Sequence, residues 1–132
     1  MSDSPKILVC DDTASVGRAV VVLLGTAGYR AQAAASALEC VSLARAERPA
    51  LILMDVMMPG MDGAFAAGIF RDEPELEGIP IVLFSAMPPE ELAAAAAEVG
   101  AVGWLAKPFK RDELVALVRT HAGGPPSRVE AG

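Results

Sequence analysis

LILMD, residues 51 to 55, sets four apolar side chains in a row and closes them with a carboxylate, and the VMMPGMDG that follows at 56 to 63 breaks the run with proline and glycine. Continuous apolarity over so short a run is the pattern of a central parallel strand covered by helices on both faces, where neither face can be polar. An acid at the carboxyl end of such a strand points from buried structure into a crevice, the place where open α/β sheets bind ligands. Asp55 is therefore the first candidate site residue.

Working outward, three further strand-length runs end in the same way. KILVC at 6 to 10 is followed by Asp11 and Asp12, IVLF at 81 to 84 by Ser85, and VGWLA at 102 to 106 by Lys107. Between the runs the period changes to that of helices. Ser15 to Ala27 carries Val16, Ala19, Val20, Leu23 and Leu24 on one stripe and stops at Gly28. A weak strand at Arg30 to Ala34 precedes a helix from Ala37 to Arg48, with Leu38, Val41 and Ala44 or Arg45 at helical spacing, and Pro49 forbids its continuation. Ala64 to Arg71 reads as a helix and 72 to 78 as a turn. Pro88 and Pro89 open an alanine-rich helix that Glu90 and Glu91 complement and Gly100 ends. Arg111 to His121 is the last. Strands alternating with helices define a parallel α/β sheet, five βα units in one domain.

The chain of 132 residues has room for one domain. Residues 1–5 are expected to be disordered, 6–122 to form the domain, and 123–132, GGPPSRVEAG, to be a flexible Gly/Pro-rich tail. A formal net charge of −6 argues against direct affinity for nucleic acid or anionic lipid and is compatible with binding cations. No run reaches the roughly 18 apolar residues of a membrane span, and the N-terminus lacks the form of a signal peptide, so a cytoplasmic location is expected. Cys10 and Cys40 show neither C-x-x-C spacing nor a disulfide framework, and both read as buried or half-buried thiols. His121, single and near a frayed end, reads as a surface residue. Asp62 and Gly63 read as a turn without chemistry.

Taken together, DD at 11 and 12, MD at 54 and 55 with MPGMDG at 58 to 63, SA at 85 and 86, and KPF at 107 to 109 resemble the response-regulator receiver domain of two-component signalling. The likeness runs over residues 6 to 121, and each motif follows its own strand. It implies a flavodoxin-like (βα)5 fold with a doubly wound five-stranded parallel sheet. It also implies that Asp55 accepts a phosphoryl group from a phosphohistidine, on a histidine kinase or a histidine phosphotransfer protein, with Mg²⁺ as cofactor. Asp12 and Asp55 would be direct metal ligands, Asp11 would act through a metal-bound water, and the backbone carbonyl of Met57 would be a further ligand. Lys107 and Ser85 would take phosphoryl oxygens, and Lys107 would pair with the acids beforehand. These types suit the chemistry: an oxygen donor set for a hard dication, an ammonium and a hydroxyl for developing negative charge. Pro108 resembles the family's proline after a cis peptide, which would aim Lys107 inward.

The resemblance further implies that Ser85 moves toward the phosphoryl group while Trp104, where the family more usually has Tyr or Phe, repacks. The face made by the fourth helix, fifth strand and fifth helix would then change its fit to an output protein that the motifs do not identify. The same face is the expected place for a homodimer. Met57 and Met87 stand where family side chains border the path of attacking water, and neither orients a water well. The chain is thus expected to be a phosphoacceptor that assists its own phosphorylation and dephosphorylation rather than an enzyme. The alternative is a pseudo-receiver, a docking module independent of phosphorylation, against which the full set Asp12, Asp55, Ser85 and Lys107 argues. A third reading, a Mg²⁺-dependent phosphohydrolase, needs D-x-D after the first strand, where Asp11 is instead followed two positions later by Thr13.

Overall fold

The structure, a computed structural model, describes residues 6–55, 72 and 78–123. The elements in chain order are β1 (Lys6–Cys10), α1 (Ala14–Thr26), β2 (Arg30–Ala34), α2 (Ala37–Glu47), β3 (Leu51–Asp55), β4 (Ile81–Ser85), α3 (Pro89–Val99), β5 (Gly103–Ala106) and α4 (Arg111–Ala122). The helix expected at 64–71 and the turn at Asp62 and Gly63 lie outside the described residues, as do 1–5 and 124–132. In consequence α3 and α4 are the fourth and fifth helices of the sequence prediction. All five strands run parallel in the order β2-β1-β3-β4-β5. The order reverses direction between β1 and β3, which places a topological switch point where Asp11, Asp12 and Asp55 emerge.

The alternation of strand side chains divides the core into two layers. Leu8, Cys10, Ile52, Met54 and Leu83 face α2 and α3, while Ile7, Val9, Leu53, Val82 and Phe84 face α1 and α4. All five residues of β3 are buried, as expected of a strand with a neighbour on each side and helices above and below.

Helix ends follow local chemistry. Ser36 caps α2 by accepting from the Glu39 amide at 3.1 Å, and the Glu39 carboxylate returns the favour to the Ala35 amide at 2.9 Å. Pro88 and Pro89 do open α3, and Gly100, at φ 77°, closes it. Arg48 closes α2 in the left-handed conformation, φ 46°, a position more often given to glycine. At the far end of the domain the Tyr29 hydroxyl donates to the Gly123 carbonyl at 2.7 Å and pins the C-terminal end of α4 to the β2 side.

Three sequence expectations need correction. Cys10 and Cys40 are not thiols but a disulfide, S–S 2.04 Å. The pleat turns Cys10 toward α2, where the first turns of the helix bring Cys40 to a Cα–Cα distance of 6.1 Å, inside the range a disulfide spans. A separation of 30 residues hides this proximity, because α1 and β2 intervene in the chain. The same link explains the second correction. With Cys40, Val41 and Ala44 buried, Leu38 lies roughly 200° around the helix from Cys40 and is 75% exposed instead of joining the stripe. Third, His121 is half-buried: a methyl added to Gly103 would sit 3.4 Å from its Nε2, so the imidazole lies over β5.

Candidate functional site

Four strands deliver the predicted polar residues to one edge. Asp11 follows β1 directly, Asp55 ends β3, Ser85 ends β4 and Lys107 follows β5. Asp11 is 2% exposed, Asp55 5% and Ser85 0%, whereas Asp12 is open to solvent. The carboxylates of Asp11, Asp12 and Asp55 offer oxygens that all lie within 4.8 Å of one another.

Both oxygens of Asp11 are engaged. Oδ1 accepts from the Thr13 amide at 2.8 Å, and Oδ2 accepts from Lys107 Nζ at 2.9 Å. The first bond fixes the turn into α1, whose N-cap, Thr13, makes no side-chain cap bond of its own. Asp11 thus shapes the helix entrance rather than capping the first turn. Lys107 also reaches Asp55 Oδ2 at 3.3 Å, so one ammonium bridges the ends of β1 and β3 from β5. The Lys107–Pro108 peptide is cis. Ser85 is tied twice to its surroundings: its carbonyl accepts from the Lys107 amide at 2.7 Å, and its hydroxyl oxygen accepts from the Met87 amide at 3.1 Å.

Three carboxylates against one ammonium leave two formal negative charges in a space a few ångströms across. Bringing like charges so close is costly unless a cation joins them. An all-oxygen donor set with two buried members and one exposed one fits a hard dication such as Mg²⁺, which keeps several of its waters on the solvent side. Met57, the further ligand expected through its carbonyl, lies outside the described residues.

Sequence reasoning missed two features here. Phe84, paired across the ladder with Asp55, lies against Lys107, and its only signal was an aromatic ring just before the strand-end hydroxyl. A cleft of about 370 Å³ opens beside the site, lined by Ser15, Val16, Ala19, Val20 and Leu23 of α1 and by Lys107, Pro108 and Phe109. The α1 stripe was legible, but it is wider than the sheet covers, and Ala19 is left at the cleft's rim. Trp104 is 39% exposed on β5, and Met87 packs partly buried against the α2–α3 layer.

The chain belongs to the response-regulator receiver family, whose domain model matches residues 7–119. It is 34% identical over 114 residues to the DNA-binding response regulator MtrA of Mycobacterium tuberculosis, an overlap of 86% of this chain and 49% of MtrA. The chain therefore spans about half the length of the curated relatives it matches. Chemotaxis protein CheY4 of Vibrio cholerae superposes with a TM-score of 0.83 at 30% identity, covering 89% of this chain and 98% of that one. The receiver domain of sensor histidine kinase PA1611 from Pseudomonas aeruginosa superposes with a TM-score of 0.82 at 28% identity, covering 92% and 99%, and that structure has a magnesium ion coordinated in its active-site cleft. These matches, with the order β2-β1-β3-β4-β5, establish the flavodoxin-like doubly wound fold.

Proposed function

We propose that Asp55 accepts a phosphoryl group from a phosphohistidine and that the protein works as a two-component switch. The observation that carries this is the shared ammonium: Lys107 bridges Asp11 and Asp55 while three carboxylates lie within 4.8 Å. In the transfer, an Asp55 carboxylate oxygen attacks phosphorus, the P–N bond to the donor imidazole breaks, and that ring leaves with the electron pair and takes up a proton. The product is an acyl phosphate.

Asp11, Asp12 and Asp55 would hold Mg²⁺, which screens the negative charge of the incoming group. Lys107 is already at the carboxylate that reacts, so a short shift of Nζ from Asp55 Oδ2 brings it to a phosphoryl oxygen. Ser85 stands one residue beyond the partner of Asp55 on the neighbouring strand, and its hydroxyl can donate to another oxygen once drawn forward. That movement pulls on the loop through the bond to Met87 and passes through the Lys107 amide to the end of β5, the strand that carries Trp104. The face of α3, β5 and α4 is the proposed output surface, for an output protein or for a second copy.

The donor is a histidine kinase or a phosphotransfer protein, and the apolar cleft along α1 gives its helix a place to dock next to Asp55. We assign no direct nucleic-acid contact to this domain, given its net charge of −6. Among the described residues no helix is long and apolar enough to cross a membrane. A cytoplasmic setting is proposed, in which burial of both cysteines, each 0% exposed, slows reduction of the disulfide by thiols. The protein is proposed to act as phosphoacceptor and not to turn over a separate substrate.

Incubation with acetyl phosphate and Mg²⁺, followed by intact mass, tests the proposal. The wild type gains one phosphoryl group and Asp55→Asn gains none; no gain in either makes the protein a constitutive docking module. Fluorescence of Trp104, the single tryptophan, is expected to change on beryllofluoride binding, and an unchanged spectrum would sink the coupling to β5.

A further inference from the structure

Lys107 has a third neighbour besides its two carboxylates. Its Nζ lies 4.6 Å from the centroid of the Phe84 ring, and Phe109 meets that ring edge-on, with centroids 6.3 Å apart and planes at 65°. Phe84 is 1% exposed and packed in the layer beneath α1 and α4, so the ring has little freedom to turn away. We propose that Phe84 is a positioning residue for Lys107, its π face holding the ammonium by cation–π attraction while Phe109 braces the ring.

The inference deepens the phosphoacceptor proposal and rests on it for its functional consequence. The two carboxylates that hold Lys107 are the groups a divalent cation would claim. Metal at Asp11 and Asp55 weakens their pull on the ammonium and adds repulsion of its own. A hard dication prefers oxygen ligands and leaves the Phe84 ring alone, so the attraction of the ring survives metal binding. An aliphatic side chain of similar volume would fill the core equally well but would give a half-buried ammonium nothing in return for lost water. The ladder adds the geometric reason: Phe84 is the direct partner of Asp55. An ammonium resting on that ring therefore stays beside whatever Asp55 carries. Phe84 touches neither phosphoryl group nor metal in this scheme and acts only through the lysine.

Two measurements test it. In the metal-free wild type, the ε-methylene protons of Lys107 should show an upfield ring-current shift that vanishes in Phe84→Leu. Separately, at saturating Mg²⁺, beryllofluoride affinity should fall about three- to tenfold in Phe84→Leu, with Mg²⁺ affinity unchanged. Replacing Phe84 with progressively fluorinated phenylalanines, which keep the ring and weaken its π face, should lower beryllofluoride affinity stepwise. Absence of the upfield shift in the wild type, or a flat fluorination series, overturns the proposal. A wild type that shows the shift but takes no beryllofluoride keeps the ring–ammonium contact and removes the phosphoacceptor role of Asp55.

Discussion

Reduction of the Cys10–Cys40 disulfide should cost the fold several kcal/mol while moving little beyond the two sulfurs, which must separate to non-bonded distance. The bond closes a loop of 30 residues from β1 through α1 and β2 to α2. On a chain-entropy model a loop of that length removes roughly 12 cal/mol/K from the unfolded ensemble, about 3.7 kcal/mol at room temperature. Spread over an unfolding entropy of roughly 2.1 cal/mol/K for each of 132 residues, this becomes a fall in Tm of about 13 °C. The assay is thermal unfolding by circular dichroism of oxidised and reduced wild type, with thiols counted by alkylation and mass. Because both cysteines are 0% exposed, reductant should need partial unfolding to reach the bond, and the reduced sample is best prepared in urea and refolded. Melting temperatures within about 2 °C of each other would refute the assignment of this cross-link as a brake on the unfolded chain.

Further outcomes follow from the site and its surroundings. Lys107→Met should raise Mg²⁺ affinity by roughly tenfold, or about 1.4 kcal/mol, since metal and ammonium compete for Asp11 and Asp55; weaker binding by calorimetry would contradict that competition. Burial raises the pKa of Tyr29 above the ordinary 10.0, an effect that Arg119 partly offsets by its charge and hydrogen bond. The unfolded chain then loses its phenolic proton first, so this contribution to stability is intact below about pH 10 and is lost as pH rises through the folded value. Tyr29 is the single tyrosine, and tyrosinate absorbance should report a titration above that of the unfolded chain; Tyr29→Phe should flatten the alkaline limb of the stability profile. Finally, Met57→Asn with Met87→Glu should shorten the phosphoryl lifetime by giving water a hydrogen-bonding partner, and a double variant as long-lived as the parent would count against it.

What was legible in the sequence was what local chemistry dictates. Continuous apolar runs marked β1, β3 and β4, because a doubly covered strand tolerates nothing else, and polar strand ends marked Asp11, Asp55, Ser85 and Lys107. The weak β2 signal has the same origin in reverse: RAQAA lies at the side of the sheet, where Arg30 is exposed and β-formers are not required. The inward face of α2 was misjudged because helical period alone allowed Leu38 a place that the bond to Cys40 denies it. Contacts between distant segments were the least visible. Neither the 30-residue spacing of the cysteines nor the 23-residue spacing of Phe84 and Lys107 carries any mark of proximity until the register of the sheet is known.

The outer strands of the sheet bear on how the molecule behaves at high concentration. β2 is five residues long with Arg30 and Gln32 in it, and β5 is four residues long and begins with glycine. Neither includes a β-branched residue, and both are too brief to template the stacking of strands from other copies. Fibril growth and capture of peptides by strand addition are thereby disfavoured at both sides of the sheet. Recognition is left to the side chains of helices, loops and the outer face of β5, surfaces that a change at one carboxylate can alter more readily than a row of backbone amides.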